Sequence, residues 1–223
     1  LPFYKLASAD IVHLPLVDHI VKTGKNLIVS TGSATFDDID RCLDFIDNRC
    51  KVILLHCTAA YPAPLSSLNL RCISKFISKY SNYTIGLSDH ENGIDAASVA
   101  YMLGARVFEK HFTLDRAAKG TDNAFSLEPV GLQKLVRNLR RIPVMLGSDE
   151  KLSLDVEAKP IFKMRKSIVY SRNLSAGEYL DHDSFEYRCP GIGLPPYEVS
   201  KLLGKRLAVA VECHQAALFD HLA

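Results

Sequence analysis

The sequence predicts a parallel α/β fold, the C-terminal part of a (β/α)8 barrel, followed by a small, mainly β domain. Three observations carry this. Short apolar runs recur at similar intervals with helix-period segments between them, and strict strand–helix alternation with apolar strands makes a parallel sheet covered by helices. The runs break into polar residues at their C-terminal ends, which is where a barrel carries its functional side chains. A doubly wound sheet usually has a glycine-rich phosphate loop after its first strand, and none is present.

The elements follow in order. Strands are expected at Phe3–Ser8, Leu27–Ser30, Val52–His56, Thr84–Ser88 and Val107–His111. Helical spacing of apolar residues covers about Leu14–Lys22, Phe36–Ile46, Leu68–Lys79 and Gly93–Leu103, with a further helix over about Pro129–Arg140. Thr35 is a suitable N-cap, with Asp37 and Asp38 placed to favour the helix dipole. Gly104 ends the fourth helix. A barrel needs eight strands, so the remaining three are expected upstream of Leu1.

After Arg141 the alternation stops. Pro143–Pro160 reads as a linker. Beyond Ile161, Ser167–Tyr170 and Phe185–Arg188 read as short strands, Leu174–Glu178 as a turn, Cys189–Gly193 as a loop, and Pro196–Leu203 as a short helix ending at Gly204. The expected organisation is a partial barrel over residues 1–142, a linker over 143–160 and a small β domain over 161–223.

Composition narrows the class. The 223 residues are 48% hydrophobic and 23% charged, enough to bury a core. A net charge of +2 gives no basic field of the kind that nucleic acid attracts. No run is long and apolar enough to span a bilayer, and no basic-then-apolar leader is present. The six cysteines form no CxxC pair and lie mostly in apolar segments, which fits reduced thiols in a cytoplasmic protein.

Two runs end alike. Ile85-Gly86-Leu87-Ser88-Asp89-His90 and Val107-Phe108-Glu109-Lys110-His111 each pass from apolar residues to a histidine. On neighbouring parallel strands both histidines would face one pocket. A pair of imidazoles so placed can hold a divalent metal with open positions for substrate; alternatively they are two unrelated histidines, each hydrogen-bonded locally. His56 also ends a strand and is read as structural.

Lys5-Leu6-Ala7-Ser8, Ser30-Thr31-Gly32, His56-Cys57-Thr58 with Tyr61-Pro62, Gly86–His90, Glu109–Thr113 and Ser126-Leu127-Glu128-Pro129 together resemble the sialic acid synthases, the N-acetylneuraminate synthases and related nonulosonic acid synthases. Gly177-Glu178, Pro190–Gly193 and Leu203-Gly204-Lys205 resemble the antifreeze-protein-like (SAF) domain that follows the barrel in that family. The resemblance implies condensation of phosphoenolpyruvate with N-acetylmannosamine, or its 6-phosphate, with a divalent metal, Mn2+ or Mg2+. It implies His90 and His111 as metal ligands, and Lys5, Ser8, Ser30 and Ser88 as holders of the phosphoenolpyruvate phosphate and carboxylate. Tyr61 and Asp122 would contact the sugar, with Lys5 and Asp122 as the catalytic pair. It also implies a homodimer in which the C-terminal domain covers the partner subunit's barrel mouth.

The sequence departs from the family pattern in places. Ala59 stands where bacterial members often have a sugar-contacting asparagine, and Asn123 where histidine is common. The Arg-Pro-Gly of many bacterial members is Cys189-Pro190-Gly191 here, with Arg188 one place earlier as the candidate for that arginine's role. A one-residue slip along a strand turns a side chain to the other face. Three other readings compete: a synthase for a legionaminic- or pseudaminic-type acid, a metal-dependent hydrolase barrel, and a catalytically inactive fragment or binding protein.

Overall fold

The computed structural model describes every residue from Leu1 to Ala223. The chain forms two compact units, Leu1–Gly147 and Ser148–Ala223.

In the first unit the strands are β1 (Phe3–Leu6), β2 (Asn26–Ser30), β3 (Val52–Cys57), β4 (Thr84–Asp89) and β5 (Val107–Lys110). They pair in sequence order, each parallel to the next, as a curled half-barrel. The helices between them are α1 (Leu14–Val21), α2 (Phe36–Ile46), α3 (Cys72–Lys79) and α4 (Asp95–Met102), with α5 (Pro129–Leu146) after β5. Thr35 caps α2 through a capping box: its hydroxyl accepts from the Asp38 amide, and Asp38 accepts from the Thr35 amide at 3.0 Å. The third helix is shorter than its apolar pattern, because Leu65–Ser67 forms a 3-10 turn and Asn69 takes a positive φ of 45°. The last helix is longer than expected. It continues through Pro143 to Leu146, where the proline forfeits one backbone donor without ending the helix.

Strand alternation divides the sheet into two faces. Leu6, Leu27, Val29, Val52, Leu54, Ile85 and Leu87 point at the helices and form the main core with residues such as Val17, Ile39, Ile73 and Ala100. His56 belongs to this face. Its Nε2 is 2.7 Å from the Leu68 carbonyl, and its ring meets Phe76 edge-on at 5.9 Å. The opposite, concave face carries Lys5, Ser30, Cys57, Ser88 and Glu109, linked by the pairings Cys57↔Ser88 and Ser88↔Glu109. Gly86 lies on it, and a Cβ there would stand 2.3 Å from the Val107 carbonyl oxygen.

In the second unit, β6 (Ser167–Tyr170) and β7 (Phe185–Arg188) pair antiparallel. Ile168, Tyr170, Leu174, Leu180, Leu202, Leu207 and Ala217 pack its core. Gly177 takes a φ of 90° in the turn after Leu174, and Gly204 takes 72° after the 3-10 helix Pro196–Lys201. A short helix, α6 (Ala158–Met164), precedes β6. All six cysteines are free. No helix is long and apolar enough to cross a membrane.

Candidate active site at the strand ends

The polar residues of the concave face converge at the C-terminal ends of the strands. Glu109 is the hub. One of its oxygens accepts from Ser88 Oγ at 2.8 Å, and the other lies 3.3 Å from Lys5 Nζ. Lys5 also donates to its neighbour's carbonyl, at Leu6, at 3.0 Å. Ser8 Oγ accepts from the Gly32 amide at 2.9 Å and sits 3.6 Å from Cys57 Sγ. Gly32 has no room for a side chain: a Cβ would stand 2.9 Å from both Ser8 Oγ and Ala59 Cβ. Ser30 is 2% exposed and its hydroxyl has no partner. Buried hydroxyls are rarely left unpaired, so this one fits a group supplied from outside the chain. None of the three serines caps a helix.

His90 and His111 face one another with ring centroids 5.1 Å apart. His90 Nδ1 is 2.9 Å from the Thr58 carbonyl oxygen. A carbonyl can only accept, so Nδ1 carries the hydrogen, and in the neutral ring Nε2 keeps its lone pair. His111 Nδ1 lies 3.4 Å from Asp122 Oδ2, the carboxylate–imidazole arrangement that orients a ligating histidine. Both rings thus have one nitrogen engaged behind them and one available, which fits a divalent cation held by two imidazoles. No group of three or more His, Cys, Asp or Glu side chains is arranged to hold a metal alone, so the other positions would fall to water or substrate oxygens.

Tyr61 covers the pair. Its ring lies 4.2 Å from that of His90 and 5.8 Å from that of His111, and 54% of the residue is exposed. The cis Tyr61–Pro62 bond shapes its loop. Phe125 backs His111 at 5.2 Å. Asp122 reaches the site from the loop between His111 and Leu127, closed by backbone bonds from Leu127 to His111 and from Thr113 to Leu127.

The charges bias these groups in different directions. Burial acts to lower His90, but bonds to Cys57 and the Thr58 carbonyl outweigh it and hold the imidazole above its ordinary pKa. Burial and the neighbouring His90 push His111 down. Burial acts to raise the Cys57 thiol, but hydrogen bonds with His90 and Ser8 outweigh it and lower it. Burial and nearby anions raise the Tyr61 hydroxyl, which stays a donor.

The expected site residues of the first unit, Lys5, Ser8, Ser30, Tyr61, Ser88, His90, His111 and Asp122, therefore share one end of the sheet. Arg188 lies in the second unit, on β7, where it pairs with Glu186 at 2.7 Å. Glu109 and Cys57 are additions that the sequence reading did not assign. Their signal was positional: each is two residues from another concave-face residue on its strand, or directly across from one.

Comparison with known proteins places the chain in a family. Residues 1–151 match the NeuB family and residues 165–223 the SAF domain. The chain is 35% identical to the N-acetylneuraminate-9-phosphate synthase of Homo sapiens, over 95% of this chain and 59% of that protein. It is 34% identical to the N,N'-diacetyllegionaminic acid synthase of Campylobacter jejuni, over 92% of this chain and 62% of that protein. The crystal structure of N-acetylneuraminic acid synthetase from Leptospira borgpetersenii, in complex with citrate, superposes with a TM-score of 0.64 at 34% identity, covering 72% of this chain and 56% of that one. The chain spans about six tenths of the length of the curated relatives it matches. It belongs to the NeuB family, and its C-terminal part is a SAF domain.

Proposed function

We propose that the whole protein is a nonulosonic acid synthase that condenses phosphoenolpyruvate with N-acetylmannosamine or its 6-phosphate, giving N-acetylneuraminate or its 9-phosphate and inorganic phosphate. The observation that carries this reading is the convergence of Lys5, Ser88, Glu109, His90, His111 and Tyr61 on one concave face in a chain of this family.

Phosphoenolpyruvate is a trianion near neutral pH, and Lys5 supplies the positive charge to meet it. Ser30, whose hydroxyl has no partner in the chain, supplies a donor to phosphate or carboxylate oxygens, and Ser88 can do the same by turning its hydroxyl away from Glu109. Glu109, bonded to both Lys5 and Ser88, aligns them. His90 and His111 would hold Mn2+ or Mg2+; such an ion, when bound, supplies Lewis-acid polarisation of the sugar aldehyde. Carbon 3 of phosphoenolpyruvate attacks that aldehyde, water adds at the cationic carbon 2, and phosphate departs by C–O cleavage. Tyr61 and Asp122 line the sugar side, where Asp122 can accept from sugar hydroxyls.

The test is phosphate release by the full-length protein. It should require phosphoenolpyruvate and an N-acetylated hexosamine together, and should stop on metal chelation. Hydrolysis without phosphoenolpyruvate would replace this reading with a hydrolase. A legionaminic-type substrate is the second reading, favoured by Ala59 where a sugar-contacting asparagine is common and by the Campylobacter relative; turnover of a hexosamine bearing two N-acetyl groups over N-acetylmannosamine would decide for it. The resemblance also leads us to propose a homodimer with exchanged C-terminal domains, and a fully active monomer in sedimentation would refute that.

A further inference from the structure

We propose that the buried Asp89–Lys110 ion pair positions His90 and His111, fixing their separation at the mouth of the sheet. The proposal rests on the reading of these histidines as a metal pair, though its geometry stands apart from any metal.

The β4–β5 ladder ends at the rung Asp89↔Lys110, and each histidine is the next residue. Past that rung the two chains part. The His90 carbonyl accepts from the Ala63 amide at 2.9 Å, and the His111 carbonyl from the Leu127 amide at 2.8 Å. No ladder bond therefore spaces the imidazoles. The side chains of the last rung do so from the opposite face of the sheet. Lys110 Nζ is 2.8 Å from Asp89 Oδ2, and the two side chains are only 5% and 3% exposed. The same ammonium donates to the Glu91 carbonyl, while Asp89 Oδ1 accepts from the Glu91 amide at 2.8 Å. Lys110 thus grips the residues on both sides of His90. Glu91 in turn accepts from the Ala96 amide at 3.0 Å, anchoring the turn to the start of α4.

A buried ion pair adds little stability over a well-packed neutral pair, because desolvation offsets its attraction. What it adds is direction. Two imidazoles that share one ion must be held to within about 0.5 Å, and partners one layer behind metal ligands typically change affinity by about 10–100-fold.

The experiment uses the full-length protein with both charges removed together, Asp89→Asn with Lys110→Met, so that no buried charge is left unpaired. The double variant is expected to fold cooperatively and to bind Mn2+ roughly 10–100-fold more weakly by calorimetry. The long-range 15N spectra of the metal-free protein are expected to show both the His90 and His111 imidazoles displaced. Asp89→Asn alone keeps the side-chain shape and is measured alongside, with the same direction of change, so a double variant that fails to fold does not remove the test. A folded variant with wild-type Mn2+ affinity and unmoved imidazole resonances overturns the proposal. Should the wild-type protein bind no Mn2+, the metal reading fails, and the imidazole spectra alone decide: displaced resonances support positioning, unmoved ones overturn it.

Discussion

His56 and His90 end adjacent strands of one sheet, yet the structure gives them opposite surroundings. His56 points to the helices, held by the Leu68 carbonyl and the Phe76 ring. His90 points to the concave face, against Tyr61 and His111. The difference is strand parity. Side chains alternate, and His56 pairs with Leu87, a core residue, while Cys57 pairs with Ser88 on the site face. Position at a strand end is therefore insufficient to mark a functional histidine; the face decides. Burial follows the same division. It lowers the His56 pKa with only one carbonyl opposing, whereas at His90 the surrounding acceptors overcome it.

The largest effects should come from the concave face. His90→Ala and His111→Ala should each reduce metal-dependent turnover of the full-length protein by more than about a thousand-fold, the scale of losing a main electrostatic stabiliser. Calorimetric titration with Mn2+ checks the cause, and wild-type affinity in either variant would break the contrast with His56. Gly86→Ala tests the same face for room. Its Cβ would meet the Val107 carbonyl oxygen at 2.3 Å and Leu55 Cδ2 at 2.5 Å, so unfolding experiments should show a loss of about 3 kcal/mol or more. A neutral result would mean that the strands part easily there.

The helix-facing histidine should affect stability without chemistry. His56→Gln should cost about 1 kcal/mol near pH 7 through its weakened contact with the Leu68 carbonyl and leave turnover of the folded protein nearly unchanged. Its pH dependence has a definite sign. The folded pKa is depressed by burial, so below about pH 6.5 the unfolded chain binds the proton more readily. The stability that His56 contributes is complete above that pH and is lost as pH falls. His90, with a raised pKa, acts in the opposite direction, so the measurement is the wild-type minus variant difference, which should shrink between about pH 7 and 5. A difference that grows over this range would contradict the burial argument. Thr35→Ala should cost a similar amount, about 1 kcal/mol, by removing the α2 cap, with no pH dependence of the histidine kind and no change in substrate or metal response.

Much of this protein was legible in its residues taken in order. Five apolar runs became the five strands and Thr35 became the cap, because strand alternation, helical period and capping are local properties that need no distant partner. The turn glycines Gly177 and Gly204 were legible for the same reason. Where local signals met a backbone exception, at Asn69 before α3 and at Pro143 inside α5, the boundaries moved. Strand-end placement pointed to His90 and His111, and the family resemblance to the other residues named for the mouth of the sheet; the structure brings Lys5, Ser88, His90 and His111 together. Only the tertiary structure showed what links them. Glu109 joins Lys5 on β1 to Ser88 on β4, and Lys110 reaches across to Asp89 and Glu91. Such links depend on which strands are neighbours and in what register, and so on long-range pairing between segments far apart in the chain. Charged residues inside an apolar run read as strand ends in a sequence; their partners exist only once the sheet has closed.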